Sequence, residues 1–374
     1  MTPPRLMFVI TEDWCFVSHR LALAVAAREA GYDVSVVTRV RAHRAQIEAA
    51  GIRIIEWEHK RGGLNPFEEL RSLYHLVRVY RRERPHLVHH VALKPALLGS
   101  VAARVTRVPR VINAVAGMGW LYSSGAGLAK VLRPIVQRAL ALLFRHHSVF
   151  VLVQNLDDER LFSDLGVPAE RLRLIPGSGI QLNLFTPHAD AEGVPMVVLP
   201  ARMLYDKGVG ELVDAARLLR ARGVRLRVVL AGEPDLQNRA AIPADVIANW
   251  VREGVVEHAG FVRDMPALLA KAQIVCLPSY REGLPKALLE GSAAGRAIVT
   301  TDVPGCRDVV TDGENGLLVP VRDGNAVADA LERLLTDKPL RLRMGRAGRQ
   351  RAEREWAASV VISRMLQYYT DTLR

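Results

Sequence analysis

The chain is 374 residues long, with 49% hydrophobic and 24% charged residues and a formal net charge of +12. At roughly 100–200 residues per domain that length holds two or three domains, and the composition excludes a disordered or fibrous chain. Three cysteines far apart, Cys15, Cys276 and Cys306, with no C-x-x-C pair, exclude a disulfide framework and point to a reducing compartment.

Arg5–Ile10 reads as a first strand; its five apolar residues, Leu6 to Ile10, are too few for a signal-peptide core. His19–Gly31 has apolar residues at helical spacing and stops at Gly31. Val34–Val37 and Gly51–Trp57 read as strands, and Leu70–Tyr80 as an amphipathic helix. Leu87–Val91, Val111–Val115 and Phe150–Gln154 follow as short apolar strands with helical stretches between them. Residues 176–195 carry Gly, Pro and polar residues without sustained periodicity, and read as a domain boundary. The alternation then restarts: strand Met196–Pro200, helix Gly208–Ala221, strand Leu226–Ala231, strand Val255–Phe261, strand Ile274–Pro278, helix Pro285–Ala294, strand Ala297–Thr300, and helices Asn325–Leu335 and Leu340–Tyr369. Strands alternating with helices specify parallel sheets covered on both faces. The expected fold is α/β: two Rossmann-like doubly wound domains facing a central cleft, over residues 1–180 and 181–355, with a helix over 356–374 crossing back to the first domain.

The charge is one-sided. Residues 60–147 hold 15 Lys/Arg against 3 Asp/Glu, a net charge equal to that of the whole chain, and no acidic residue lies between Arg84 and Leu156. Such a face implies an anionic partner, whether a phospholipid surface, a nucleic acid or a phosphorylated substrate; the plainer alternative is a solubilising surface with no partner. No apolar run approaches the ~18 residues that span a bilayer. The nearest, Leu128–Phe144, is broken by Lys130, Arg133 and Arg138, and suits a helix lying in an interface or an ordinary core helix with a basic outer face.

The chemistry concentrates in "SYREGLPKALLEGSAAGRAIV", Ser279 to Val299. Glu282, Gly283 and Leu284 form a turn between a strand and a helix, with Pro285 suited to the helix's first turn. Gly283 permits close backbone approach, and the N–H groups at the helix start favour an anion such as a phosphate. Glu282 then accepts from hydroxyl groups, and Glu290, further along the helix, reaches a more distant point of the same ligand. One carboxylate on sugar hydroxyls and one on a ribose diol is the requirement of a nucleotide-sugar site. The plainer alternative makes Glu282 a helix cap and Glu290 a surface residue. In "LPARMLYDKGVGELVDAARLL", Arg202 and Lys207 follow another strand, where a cation pair neutralises a diphosphate and the charge growing on it as it leaves.

The stretches "ARMLYDKGVGELVDA", "VVLAGEPD", "VEHAGFVRDMPALLAKAQIVCLPSYREGLPKALLEGSAAGRAIVTTDVPGCRDVV" and "DGENGLLVPVRDGNAVADAL", across most of residues 196–330, resemble the retaining glycosyltransferases of the two-Rossmann-domain (GT-B) type, family four. The resemblance implies that Glu282 contacts the donor sugar beside Gly283 and Leu284, that Glu290 binds ribose, that Arg202 and Lys207 bind the diphosphate, that Phe261, Val262 and Arg263 lie along the base, and that Gly232 and Glu233 lie near the nucleotide. No D-x-D triplet, the metal-binding signature of the other major transferase fold, is present. The expectation is therefore no cofactor and no required metal, with a UDP-sugar as co-substrate. More loosely, "RGGLNPFEELRSLYHLVRVYRRERPHLVHHVALKPALLGSVAARV", "INAVAGMGWLYSSG" and "IPGSGIQLNLFTP" resemble bacterial enzymes that extend glycans on polyprenyl diphosphates, among them N-acetylhexosaminyltransferases.

Two departures stand out. The first strand–helix loop, "TEDWCFVSHR", lacks the family's glycine pair, and Asn113, Ala114 and Val115 stand where many relatives place an acceptor-side histidine. His19, His89, His90 and Lys94 are the substitutes to test on the acceptor side, with His19 and His90 as catalytic candidates; Arg133 and Arg138 are candidates for the acceptor or membrane side. The expected activity is retaining transfer of a sugar, an N-acetylhexosamine, from a UDP-sugar to a polyprenyl-diphosphate-linked saccharide by a cytoplasmic protein peripheral to the inner face of the membrane. The alternatives are a hexose transferase using UDP or GDP, a nucleotide-sugar epimerase, and a nucleic-acid-binding protein. The absence of zinc and ribonucleoprotein motifs and the 6% aromatic content argue against the last.

Overall fold

The computed structural model describes residues 2–59, 65–115, 127–189, 192–238 and 240–374. Residues 116–126, which hold most of "INAVAGMGWLYSSG", and the "RGGL" at 61–64 lie outside the described residues, as do the side chains of 127–132. The chain divides into two compact units, Met1–Ser178 with Val361–Arg374, and Gly179–Val360.

In the first unit seven parallel strands, β1 (Arg5–Glu12), β2 (Asp33–Arg39), β3 (Arg53–Glu56), β4 (Leu87–Val91), β5 (Arg110–Ala114), β6 (Val149–Val153) and β7 (Leu172–Leu174), lie in the order 3-2-1-4-5-6-7. Runs such as Leu6–Ile10 are apolar without alternation because both faces of the sheet are covered. One face packs Leu76 and Tyr80 of helix Pro66–Glu83, Ala96 and Ala103 of helix Leu93–Thr106, and Leu140 and Phe144 of helix Gly127–Phe144. The other packs Leu23 and Ala27 of helix Leu21–Glu29 with Val361, Met365 and Tyr369 of the C-terminal helix Ala358–Leu373.

The second unit carries six parallel strands, β8 (Met196–Pro200), β9 (Arg227–Ala231), β10 (Glu257–Gly260), β11 (Ile274–Leu277), β12 (Ala297–Thr301) and β13 (Gly316–Val319), in the order 10-9-8-11-12-13. In each sheet the order reverses once, between β1 and β4 and between β8 and β11. Loops leaving the carboxyl ends of strands at such a reversal diverge and leave room for a ligand.

Several boundaries differ from those read in the sequence, among them the helix read over Leu70–Tyr80, which spans Pro66–Glu83, and three further ones have a clear structural cause. A short helix, Asp13–His19, precedes Leu21–Glu29, with Arg20 between them. The helix expected from Pro285 starts at Lys286, with Pro285 extended at its cap position. The expected single helix over Leu340–Tyr369 is two, Lys338–Arg351 and Ala358–Leu373, joined by a wide turn over Ala352–Trp356. Ala357 is extended because residue 180 takes two backbone bonds there: Ile180 N–H donates to the Trp356 carbonyl and Ala358 N–H to the Ile180 carbonyl. Helical periodicity continues through 352–357, so the break is invisible in the pattern.

Candidate active site

Lys207 and Glu282 come from the loops after β8 and β11, the two strands that flank the reversal in the second sheet. Lys207 Nζ lies 2.5 Å from Glu282 Oε1, with the two side chains 17% and 13% exposed. The approach depends on Gly208, whose φ is +71° and whose added Cβ would sit 2.1 Å from the Pro278 carbonyl oxygen. Only glycine closes the two loops onto each other there. Ser279 Oγ then lies 2.8 Å from Glu282 Oε1 and 3.0 Å from the Asp206 carbonyl, with its one proton shared between these two acceptors, while Tyr280 N–H donates to that same carbonyl at 2.9 Å. Glu282 N–H donates to the Pro304 carbonyl, and the helix at Lys286 has no side-chain cap. Glu282 is therefore an anion aimed across the loop at a cation, and not a helix cap.

Glu290 sits one turn into that helix, 14% exposed, with Lys286 Nζ at 3.5 Å. Burial pushes its carboxyl above the ordinary glutamate range, against the pull of Lys286. It is a desolvated acceptor and not a surface glutamate.

Arg202 follows β8 directly and pairs through Nη1 with Asp235 Oδ2 at 2.5 Å. The loops after β8 and β9 are laced together: Ala201 N–H donates to the Ala231 carbonyl and Met203 N–H to the Glu233 carbonyl. Gly232, with φ +153°, lies where a Cβ would be 2.0 Å from the Ala201 carbonyl, and His258 Nε2 holds the Gly232 carbonyl at 2.8 Å. Phe261 is 70% exposed at the end of β10, with Val262 half-buried and Arg263 exposed beside it. Leu284 is buried and Gly283 half-buried in the Glu282 turn.

The geometry thus brings Arg202, Lys207, Glu282 and Glu290 to one edge of one sheet. Each of the three cations Arg202, Lys207 and Lys286 faces a carboxylate there. Ser279, Asp235 and His258 were not singled out by sequence reasoning. Asp235 stands in the quoted "AGEPD" and Ser279 at the head of the quoted motif, but only the close approach at Gly208 and the loop lacing assign them contacts.

The first unit corrects the acceptor-side reading. His90 is fully buried, with Nε2 2.8 Å from the Tyr80 hydroxyl and Nδ1 2.7 Å from Asn113 Oδ1. Both ring nitrogens are committed to the core, and burial lowers its pKa to about 4. His89, also fully buried, has Nδ1 2.6 Å from the Tyr369 hydroxyl of the C-terminal helix, and burial holds its ring well below the ordinary range. Neither side chain is exposed, which removes both from the acceptor-side candidates. His19 is half-buried at the end of helix Asp13–His19, beyond the carboxyl end of β1, with Nδ1 3.4 Å from Ser178 Oγ. Lys94 Nζ pairs with Glu69 at 2.6 Å, tying helix Leu93–Thr106 to helix Pro66–Glu83. Arg138 is exposed and Arg133 half-buried on helix Gly127–Phe144.

The glycine-free loop after β1 is organised by Asp13. Its carboxylate accepts from the N–H groups of Arg41 (2.7 Å), Ala42 (2.9 Å) and His43 (2.9 Å). Burial raises its pKa, but those backbone donors and Trp14 N–H outweigh it and hold the group below the ordinary aspartate range. The carboxylate thus ties the start of the loop after β1 to the turn that follows β2.

Comparison with known proteins places this geometry. A family model described as "Glycosyl transferases group 1" matches residues 194–337, and one described as "Glycosyl transferase 4-like" matches residues 5–151. The chain is 26% identical over 368 residues, 95% of each chain, to N,N'-diacetylbacillosaminyl-diphospho-undecaprenol alpha-1,3-N-acetylgalactosaminyltransferase of Campylobacter jejuni. It is 23% identical over 296 residues, 74% of this chain and 73% of the other, to UDP-Gal:alpha-D-GlcNAc-diphosphoundecaprenol alpha-1,3-galactosyltransferase of Escherichia coli. In fold it is similar to sucrose-phosphate synthase of Thermosynechococcus elongatus, with a TM-score of 0.81 at 22% identity over 98% of both chains. It is likewise similar to Anabaena HepE in complex with UDP-glucose, with a TM-score of 0.78 at 16% identity over 98% of this chain and 99% of that one. With two parallel α/β units, each half matched by a model of this family, and the cation–carboxylate site on the second sheet, the chain belongs to the group 1, family-four-like glycosyltransferases of GT-B architecture.

Proposed function

We propose that the protein transfers a sugar, an N-acetylhexosamine, from a UDP-sugar to a saccharide carried on a polyprenyl diphosphate, with retention at the anomeric carbon. The observation that carries this reading is the Lys207–Glu282–Ser279 cluster where the second sheet reverses. The Campylobacter relative, matched along 95% of both chains, bears the name of such an enzyme and supports the acceptor class.

In this reading Glu290 accepts from the ribose hydroxyls and Glu282 from hydroxyls of the donor sugar. Arg202 and Lys207 take the diphosphate, and the exposed face of Phe261 lies along the base. The acceptor hydroxyl attacks the anomeric carbon on the face from which UDP departs. As the carbon–oxygen bond to the diphosphate breaks, the phosphate oxygen takes the acceptor's proton, giving glycosylated acceptor and UDP. Charge on the departing diphosphate is met by preorganised cations, the largest contribution in most transfers of this kind. The two cations make a divalent metal unnecessary. Among His19, His89 and His90, His19 is the one left for the acceptor side.

No helix among the described residues is long and apolar enough to cross a membrane. A lipid-borne acceptor then requires the protein to work at the membrane surface, on the cytoplasmic leaflet where UDP-sugars are available.

The test offers radiolabelled UDP- and GDP-sugars with a short-chain polyprenyl-diphosphate saccharide, with and without EDTA. Transfer from a UDP-N-acetylhexosamine that survives EDTA and disappears in Glu282→Ala, with the circular dichroism unchanged, is expected. Full activity of Glu282→Ala, or stabilisation by GDP and not UDP in thermal shift, overturns the assignment.

A further inference from the structure

Helix Pro66–Glu83 turns outward a face that the transfer chemistry does not use. Phe67, Leu70 and Tyr74 are 81%, 62% and 63% exposed. At about 100° per residue they share a sector of about 60°, and exposed Arg71, Arg78, Arg81 and Arg82 flank them within about 120° in all. The apolar side chains fill the first turns and the arginines the last. No exposed residue of this helix is acidic. Glu69 is taken up by Lys94 at 2.6 Å, and Glu83 is shared by Arg53 (2.8 Å) and Arg82 (2.7 Å). The opposite face, with Leu76, Val79 and Tyr80, already supplies the core, so packing does not account for Phe67, Leu70 or Tyr74. Scattered exposed apolar residues are ordinary, but three on consecutive turns rimmed by cations mark an interaction surface.

The same layer repeats the pattern. Helix Gly127–Phe144, whose Leu140 and Phe144 pack in the same core cluster as Leu76 and Tyr80, exposes Ile135 (56%) and Leu142 (70%) alongside exposed Arg138 and Arg145. A hollow of about 510 Å³ lined by Arg53, His75, Arg78 and Arg82 lies between helix Pro66–Glu83 and edge strand β3.

We propose that this layer of the first unit, led by Phe67, Leu70 and Tyr74, is the docking surface for an anionic bilayer. The three apolar side chains enter the boundary between headgroups and acyl chains, and the arginines meet lipid phosphates. Charge selects this occupant. A second copy of the chain would bring arginine against arginine, whereas a leaflet rich in anionic lipid complements a region with 15 basic and 3 acidic residues. The inference extends the lipid-acceptor reading above, but its test uses neither donor nor acceptor.

The full-length protein is sedimented with vesicles of phosphatidylcholine alone and of phosphatidylcholine with phosphatidylglycerol, at low and high salt. The variants are F67S/L70S/Y74S, R71Q/R78Q/R81Q and I135S/L142S, each checked for an unchanged melting temperature and an unchanged stabilisation by UDP. Binding to the anionic vesicles is expected to fall at least 10-fold in the first variant and to become insensitive to salt in the second, with a smaller loss in the third. Three results each overturn the proposal: wild-type binding equal on both vesicle types, no binding to either, or a first variant that binds as wild type does. Wild-type protein that binds these vesicles but shows no transfer in the separate assay above counts against the catalytic reading alone.

Discussion

Glu282→Gln separates the loop contacts that this carboxylate makes from the sugar contact proposed for it. The substitution keeps the shape of the side chain and an oxygen that can accept from Ser279 Oγ, now 2.8 Å away, but removes the charge 2.5 Å from Lys207 Nζ. On the proposed assignment the lost interaction is a charge-assisted hydrogen bond to a sugar hydroxyl, about 1.5–3 kcal/mol, so kcat/KM is expected to fall roughly 10- to 150-fold. Donor diphosphate responds in the opposite sense. In the native protein Lys207 must leave a carboxylate to meet phosphate, and in the variant it has none to leave, so UDP binds as tightly as before or more so. The pair is partly buried, and stripping one partner from Lys207 lowers stability, by about 1 kcal/mol for a site still reached by water. Initial rates at saturating acceptor, UDP titration calorimetry and urea midpoints read the three effects separately. If kcat/KM stays within threefold of wild type, or if UDP affinity falls in step with the rate, Glu282 only braces the loop and the assignment of a sugar contact is wrong.

Arg202→Ala should weaken UDP about 10-fold or more, the loss of one charged hydrogen bond to phosphate, whereas Asp235→Asn, which relieves Arg202 of its 2.5 Å partner, should tighten it; competition against labelled nucleotide distinguishes them, and equal weakening in both refutes the exchange model. Glu290, raised above the ordinary range by burial, makes the folded state pay for a buried charge at every pH above its folded value, and this penalty vanishes once the pH drops below the unfolded glutamate value. Glu290→Gln should therefore raise the melting temperature at neutral pH and lose that advantage in acid, while weakening UDP; a neutral-pH melting temperature below wild type contradicts this. His90 is neutral when folded, with a pKa near 4 against 6.5 unfolded, so its contribution is complete above pH 6.5 and is lost as pH falls toward 4, about 3 kcal/mol in all. Urea midpoints against pH should show that acid slope, reduced in His90→Gln, and an unchanged slope in the variant excludes His90 as its source. Gly208→Ala should cost at least about 1 kcal/mol of left-handed strain and also loosen UDP, because its Cβ would meet the Pro278 carbonyl; a variant of native stability and affinity would show that the loop approach is not needed.

The alternation of apolar strand and amphipathic helix was enough to specify two doubly wound sheets, since that periodicity is a local consequence of which faces each element buries. The strands Leu87–Val91 and Met196–Pro200 begin and end where their apolar runs do. The motif at Ser279–Val299 located the candidate donor site, because a turn before a helix is written in a few consecutive residues. What the sequence could not hold is partnership between residues far apart in the chain. The break at Ala357 depends on residue 180, which takes the backbone bonds a continuous helix would have made. His89 and His90 are candidates for the acceptor side in the sequence, and only the sheet shows them sealed between Tyr369 on one side and Tyr80 with Asn113 on the other. Asp235 and Ser279 acquire their roles only when loops from neighbouring strands close at Gly208 and Gly232. The outward stripe of Phe67, Leu70 and Tyr74 has the same origin: periodicity gives a helix an apolar face, but only packing decides whether that face is covered.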